Sequence, residues 1–166
     1  VYTTNTSGLR FYESTTPLAA PDNGDFSVRP TGVSFQQVDG FGFAITQASC
    51  FNLLRMPEAD RHRFLTEVFS RKDGLGSSLI RVCIGGSDFS LDEFTWCDRQ
   101  GLENFAVHPL DVRYLFPVLD DIFAINPDVK IIASPWSCPR WMKMSDAGKT
   151  PYDSWTGGRL NPVCYQ

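Results

Sequence analysis

The sequence predicts an α/β fold built on a parallel sheet, and three observations indicate this class. From residue 39 onward, short apolar runs alternate with segments of helical periodicity. The runs Leu79–Ile84 and Val129–Ala133 are almost continuously apolar, which is typical of parallel strands covered by helices. Each run then breaks into small, polar, proline and aromatic residues, at Gly85 and at Ser134. Ligands of such folds bind beyond the carboxyl ends of the strands, so these two breaks mark the predicted site.

The N-terminal part of the chain differs from the rest and predicts a small antiparallel β element. Short mixed segments at Leu9–Glu13 and Phe26–Arg29 are separated by turn-forming residues, and Val33–Val38 alternates as a half-exposed strand would. The chain opens with VYTTNTSG, which is neither a starter methionine nor a signal peptide, so we expect that something ahead of it was removed or trimmed. We therefore divide the chain into residues 1–38 and 39–166.

Two helices are predicted between the strands of the second part. A glycine-aromatic strand, Gly40–Ala44, leads into a turn and a short helical piece that ends near Leu54. The first helix, Pro57–Ser70, has a proline in its first turn, acids at its positive end and one apolar stripe. The second helix spans roughly Asp111–Ile125. Pro117 predicts either a kink there or a later start, because proline removes a backbone donor and clashes with the preceding turn.

Composition and charge disfavour several classes of function. The chain has 166 residues, of which 42% are hydrophobic, and a net charge of −4 with a pI near 5.1, so it lacks the basic surface that binds nucleic acid. No apolar run approaches the roughly 20 residues needed to span a bilayer. The five cysteines are widely spaced without a C-x-x-C pair, which disfavours a zinc site or a disulfide framework. We expect no metal and no cofactor.

The predicted repeat is also too short to close on itself. A closed eight-stranded barrel typically needs about 250 residues, and only about three strand-helix units fit into residues 39–166. We therefore expect an incomplete barrel that belongs to something larger. Its open strand edges and its exposed apolar surface are liabilities for mispairing. The ordered form is expected to need the missing C-terminal portion, another copy of the chain or a partner chain.

Several short motifs occur in an order and spacing that match a known family. They are QVDGFG at 37–42, NLL at 52–54, GLG at 74–76, RV at 81–82, SDFS at 87–90 and ASPWS at 133–137. Together they resemble retaining glycoside hydrolase family 30, which includes glucosylceramidases, β-1,6-glucanases and xylan-active enzymes. Leu102–Phe105 and the Ser-Pro-Trp-Ser motif look most like the first two branches. The resemblance implies a (β/α)8 TIM barrel flanked by a β-sandwich whose first strands come from the N-terminus.

The resemblance also implies which residues bind substrate. A glycoside site needs groups that bind hydroxyls, flat apolar surfaces for sugar faces and two carboxylic acids. The matching positions imply that Asp88 accepts sugar hydroxyls and that Trp136 lines the glycone subsite. Arg81 lies in a buried strand run, where an unpaired cation is costly, so it should meet a carboxylate. The resemblance places that carboxylate in the active site, outside this chain, and makes Arg81 a supporting residue.

The loop tryptophans are less clearly assigned. Trp96 is a candidate sugar platform, and Trp141 and Trp155 are weaker ones. All three are equally credible as packing residues within long loops.

No catalytic carboxylate is expected in the chain. In the family, the acid/base glutamate follows the fourth barrel strand in an Asn-Glu motif and the nucleophile ends the seventh strand. Glu103-Asn104 has the reverse order and lies in the loop after the second strand. Glu58 and Glu67 lie in the first helix, and Glu93 lies in the long loop. The segment alone is therefore predicted to be inactive.

The resulting functional hypothesis is the N-terminal segment of a retaining hydrolase of β-linked glucosyl substrates, either glucosylceramide-like or β-1,6-glucan. The implied partners are a carbohydrate or glycolipid substrate, and the implied location is extracytoplasmic. Two alternatives stay open. One is a carbohydrate-binding module that does not hydrolyse its ligand. The other is a small, complete α/β domain that binds a phosphorylated ligand, although no glycine-rich phosphate-binding motif follows a strand.

Overall fold

A computed structural model describes residues 2–3, 12–13, 29–145 and 157–165. The chain divides into two compact units, residues 1–37 and 38–166. In the first unit, strand β1 (Tyr2–Thr3) pairs antiparallel with β2 (Tyr12–Glu13). Most of the predicted segment Phe26–Arg29 lies outside the described residues, and so does Trp155.

The strand predicted at Val33–Val38 is wrong. The side chains of Val33, Phe35 and Val38 are all exposed, and these residues form no strand. No described residue pairs with this stretch in a ladder. Alternation of side chains stabilises a strand only when a neighbour satisfies its backbone groups and one face is buried.

The second unit contains the predicted parallel sheet. Its strands are β3 (Gly42–Ala44), β4 (Leu79–Ile84) and β5 (Lys130–Pro135), in the order β3-β4-β5. Both pairings are parallel, and Arg81 lies opposite Ala44 on one side and Ile132 on the other. The bounds of β4 agree with the prediction, whereas β3 is shorter and β5 extends two residues further than expected. The prediction of an α/β fold with a parallel sheet is confirmed.

Helices α1 (Gln47–Arg55) and α2 (Glu58–Phe69) connect β3 to β4. The hydroxyl of Thr46 accepts a hydrogen bond from the Ser49 N–H at 3.2 Å, which satisfies one of the free donors at the start of α1. Pro57 immediately precedes α2, and Glu58 and Asp60 lie in its positively polarised first turn, as predicted.

The second predicted helix has two parts. Asp111–Leu115 forms a π-helical turn, and the regular helix α3 runs from Phe116 to Ile125. Helical residues run without a break from Pro109 to Ile125, so Pro117 lies within a continuous helix, directly after the π-helical turn. A later start of the helix is wrong, because helical residues already begin at Pro109, and the irregularity before Pro117 takes the form of a π-helical turn.

The core lies between one face of the sheet and the three helices. Alternate residues of β4, Ile80 and Val82, are buried in it, while Arg81 between them is on the opposite face. The core residues from the helices and adjoining segments are Ile45, Cys50, Leu53, Leu65, Phe69, Leu115, Val118, Ile122 and Val129. The helices thus cover one face of the sheet and leave the face with Arg81 available for a site.

The connections after β4 and β5 have little regular structure. The first contains a 3-10 turn at Leu102–Asn104. The second contains 3-10 turns at Arg140–Met142 and Pro162–Cys164, and a short antiparallel pair of β6 (Lys143–Met144) with β7 (Arg159–Leu160). Among the described residues, no helix is both long enough and apolar enough to cross a membrane.

Candidate functional site

The turn after β4 presents Asp88 to solvent. Gly85 has φ +83°, a conformation that side-chain-bearing residues rarely adopt, and this lets the chain leave the strand sharply. A tight turn follows, in which the Ser90 N–H donates to the Ser87 carbonyl and the Ser87 N–H donates to the Ser90 hydroxyl, both at 2.8–2.9 Å. Asp88 is exposed at this turn and forms no hydrogen bond or ion pair with any described residue. Its carboxylate oxygens are free to accept hydroxyls.

The end of β5 places Trp136 beside Arg81. The Arg81 guanidinium carbon lies 5.5 Å from the centroid of the Trp136 ring, and an Arg81 nitrogen donates to the Ser134 hydroxyl at 3.2 Å. A guanidinium over an indole face is held by the ring quadrupole. Trp136 remains 42% exposed. The ring is thus oriented by one neighbour and still offers apolar area to a ligand.

Arg81 has no carboxylate partner within the described part of the chain. The ion pairs found there join other residues, and the contacts of Arg81 are to Ser134 and Trp136. That an acid from outside this chain pairs with Arg81 stays a prediction.

The loop tryptophans Trp96 and Trp141 both use their indole N–H internally. Trp96 donates to an Asp111 carboxylate oxygen at 2.8 Å and packs edge-on against Phe105. Trp141 donates to the Cys97 carbonyl at 2.8 Å. Trp96 also borders an open groove of about 300 Å³. Its role as a sugar platform stays a prediction, and its N–H already has a partner.

Sequence reasoning missed a buried polar pair beneath the site. Asp111 is 2% exposed and Gln47 is 5% exposed. The Gln47 amide nitrogen donates to Asp111 at 3.0 Å. Burial raises the pKa of Asp111, and the hydrogen bonds from Trp96 and Gln47 and the charge of His108 lower it by less. The two residues are 64 positions apart, so local periodicity carries no sign of the pair.

The carboxylates named in the sequence take no part in this arrangement. Glu58 and Glu67 lie on α2, Glu103 lies in the exposed 3-10 turn, and Glu93 forms an exposed ion pair with Arg140. Within the described residues, no three His, Cys, Asp or Glu side chains cluster as metal ligands would. All five cysteines are free thiols. That the chain contains no catalytic carboxylate stays a prediction.

The parallel sheet, the helices on one face and the strand-end residues on the other define a segment of the α/β-barrel class. The model of the glycosyl hydrolase family 30 TIM-barrel domain matches residues 38–158. The chain belongs to glycosyl hydrolase family 30. The predicted family is therefore confirmed, whereas the flanking β-sandwich is not.

Several characterised proteins are similar to this chain. The solved structure of the endo-β1,6-glucanase BT3312 is 56% identical with a TM-score of 0.78, over 82% of this chain and 30% of that one. The lysosomal acid glucosylceramidase of Mus musculus is 31% identical, over 76% of this chain and 23% of its own length. The endo-1,6-β-D-glucanase BGN16.3 of Trichoderma harzianum is 28% identical, over 87% of this chain and 33% of its own length. The chain thus spans a third or less of each of these relatives.

Proposed function

We propose that this chain supplies the glycone-binding wall of a retaining β-glucoside hydrolase that acts on β-1,6-glucan. In this proposal Asp88 accepts sugar hydroxyls, Trp136 stacks on a sugar face, and Arg81 supports an acid contributed by another part of the barrel. The two catalytic carboxylates of the double displacement come from outside these 166 residues.

The observation that carries the proposal is that two neighbouring strand ends present two different and complementary side chains. After β4, a carboxylate is exposed and without a partner among the described residues; after β5, an oriented indole is half-exposed. Sugars combine hydroxyl pairs with apolar ring faces, so a carboxylate and an aromatic ring at adjacent positions suit their recognition. The guanidinium of Arg81, a residue of β4, lies over the Trp136 ring, and its charge suits a carboxylate contributed by another part of the barrel.

The glucan is favoured over the glycolipid by similarity. The identity to the endo-β1,6-glucanase structure is 56%, against 31% to the mouse glucosylceramidase. We further propose that residues 39–166 form the first three or so strand-helix units of the barrel. In the same proposal residues 1–38 contribute to a flanking β-sandwich, and the protein works outside the cytoplasm, where a polysaccharide is accessible.

The substrate proposal is tested on the product of the complete open reading frame that contains this chain. The product is incubated with β-1,6-glucan and, separately, with glucosylceramide, and the first product is followed by proton NMR. We expect oligosaccharides from the glucan that first appear as the β-anomer, since double displacement retains configuration. Release of glucose from glucosylceramide alone would make the glucan assignment wrong.

The roles of the two strand-end residues are tested by substitution in the same product. Asp88→Asn and Trp136→Ala are each expected to lower kcat/KM for the glucan at least tenfold, which corresponds to about 1.4 kcal/mol of transition-state stabilisation. Asp92→Asn is the matched control, because Asp92 is an exposed acid of the same loop that only accepts from the Glu93 N–H. If Asp88→Asn behaves like Asp92→Asn, Asp88 does not bind the sugar.

The rival functions predict different results for the same protein. A carbohydrate-binding module would bind the glucan in a pull-down assay and release no product. A small α/β domain for phosphorylated ligands would bind neither substrate. Hydrolysis that depends on Asp88 and Trp136 contradicts both rivals.

A further inference from the structure

The turn that presents Asp88 is fixed internally by its own hydrogen bonds. Besides the two bonds between Ser87 and Ser90, the Phe89 N–H donates to the Ser87 hydroxyl at 3.2 Å. These bonds set the shape of the turn, but they do not fix its position relative to β5, where Trp136 lies. A second set of contacts is needed for that.

The anchor of the turn is the first part of α1. The Ala48 N–H donates to the Phe89 carbonyl at 3.0 Å, and the Leu91 N–H donates to the Gln47 side-chain oxygen at 2.9 Å. The first N–H groups of a helix have no partner within it, so the Ala48 donor is available for this contact. Two residues that closely follow Asp88 are thereby joined to one rigid element.

Asp111 fixes the side chain of Gln47 in turn. The Leu91 N–H requires the Gln47 oxygen, so the Gln47 amide nitrogen must point the other way, where it donates to Asp111. The second Asp111 oxygen accepts from Trp96. An ionised carboxylate satisfies two donors at once, whereas an asparagine would offer one acceptor and leave one donor unpaired.

We propose that Gln47 and Asp111 are positioning residues that hold the Asp88 turn in its sugar-binding position through Leu91, next to the bond from Ala48 to Phe89. This inference rests on the proposed function, in which Asp88 binds the sugar. Neither residue is itself a substrate ligand. The cavity that both residues line holds about 10 Å³, which is roughly the space of one water molecule and far too small for a sugar ring.

Stability alone gives little reason for a carboxylate at position 111. Burying a charge costs free energy, and replacing a buried ionic group by apolar side chains is often neutral or stabilising. Burial also raises the pKa of Asp111, so ionising this carboxyl costs more free energy in the folded chain than in water. The benefit of the ionised carboxylate is geometric, because its oxygens accept hydrogen bonds from both Gln47 and Trp96. Protonation would add a third donor at the point where these two already meet.

The first experiment measures hydrogen exchange in the product of the complete open reading frame that contains this chain. Asp111→Asn is expected to lower the protection of the Leu91 and Ala48 amides at least tenfold, while amides of β4 such as Ile80 keep theirs. Gln100→Met, a change of an exposed loop residue, is the control and should leave all of these amides unchanged. Equal protection of Leu91 and Ala48 in Asp111→Asn would overturn the proposal.

The second experiment separates positioning from general damage by a KM-against-kcat comparison in the product of the complete open reading frame. Gln47→Met is expected to raise KM for the glucan about tenfold with kcat within about twofold, since a displaced carboxylate weakens binding. A merely structural defect lowers the active fraction, and therefore kcat, without changing KM. Gln100→Met is again the matched control. If Gln47→Met yields no folded protein, Asp111→Asn is measured in its place.

A double-mutant cycle separates the failure of this inference from the failure of the proposed function. The double variant Asp88→Asn with Gln47→Met should have a KM less than twofold above that of Asp88→Asn alone, because Gln47 acts through Asp88. If Asp88→Asn itself leaves kcat/KM unchanged, the proposed function has failed. If Asp88→Asn raises KM and Gln47→Met adds its full tenfold on top, only the positioning role is wrong.

Discussion

Cys50 shows how strongly the interior of this unit controls the chemistry of one residue. Its side chain is completely buried, and burial together with the negative charge of Asp111 raises its pKa to about 12. Since the thiolate is the reactive form, about one Cys50 in 10,000 would be ionised at pH 8. A buried cysteine beside a buried carboxylate is therefore among the least reactive kinds of thiol.

We predict that Cys50 resists alkylation in the folded chain. At pH 8, iodoacetamide should modify the partly exposed Cys164 at least 100 times faster than Cys50, as measured by mass spectrometry of peptides. In denaturant the two rates should converge. Equal rates in the folded chain would mean that Cys50 is accessible and that its surroundings differ from those described.

Asp111 predicts a pH-dependent stability with a defined sign. Its folded pKa is raised above the unfolded value. The stability that it contributes is therefore full below about pH 4 and declines as the pH rises through the folded pKa. The difference between the free energy of unfolding of the natural chain and that of Asp111→Asn should fall as the pH rises through this window and then level off. Urea titrations at a series of pH values measure this difference. A difference that grows with pH would contradict the raised pKa.

At the scale of elements, the helices are held by a few fully buried side chains. Leu65 on α2 is 1% exposed, whereas Leu75, after the same helix, is 85% exposed. We predict that Leu65→Ala lowers the free energy of unfolding by about 2–5 kcal/mol, because it removes buried methyl groups and leaves a cavity. Leu75→Ala makes the same chemical change in solvent and should stay within about 0.5 kcal/mol. Denaturant titration of both variants measures the contrast.

The strands and helices could be predicted because their signals are local. The run Leu79–Ile84 is apolar and bounded by small polar residues, and the structure has a strand with those bounds. Pro117 indicated an irregularity in its helix, and the structure has a π-helical turn directly before it. Val33–Val38 shows the limit of such signals, because its alternation needs a neighbouring strand that the local pattern does not contain.

The site was predictable only in part, for a related reason. Asp88 and Trp136 were identified because they follow strands in motifs of a known family. Gln47 and Asp111 belong to no such motif, and their contact joins positions 64 residues apart. The π-helical turn that carries Asp111 depends on packing, since periodicity alone predicts an ordinary helix there.

The whole sheet has two open edges within the described residues. Strands β3 and β5 each pair only with β4. Beside β3 lies an apolar groove of about 390 Å³, lined in part by Phe43, Leu53 and Phe64. Open parallel edges next to exposed apolar groups favour association with further strands.

We predict that the purified 166-residue chain associates with itself. Light scattering after size exclusion should show a mass that rises with concentration. Ile132→Lys, which places a charge on the exposed strand β5, should reduce that rise. Val112→Lys, a change of an equally exposed apolar residue on the π-helical turn, should not. A monomer with a sharp cooperative thermal transition at all concentrations would make the prediction wrong.

The attachment of the Asp88 turn to α1 has a consequence for how this scaffold can diversify. The bonds of the turn lead to α1, which precedes β4 in the chain, and to Phe94 and, through Gln47, to Asp111; none of these bonds leads to a residue between Cys97 and Val107. Insertions between Cys97 and Val107 therefore leave the bonds of the Asp88 turn intact. New loop sequences there would change the surface next to the site without moving the turn that presents Asp88.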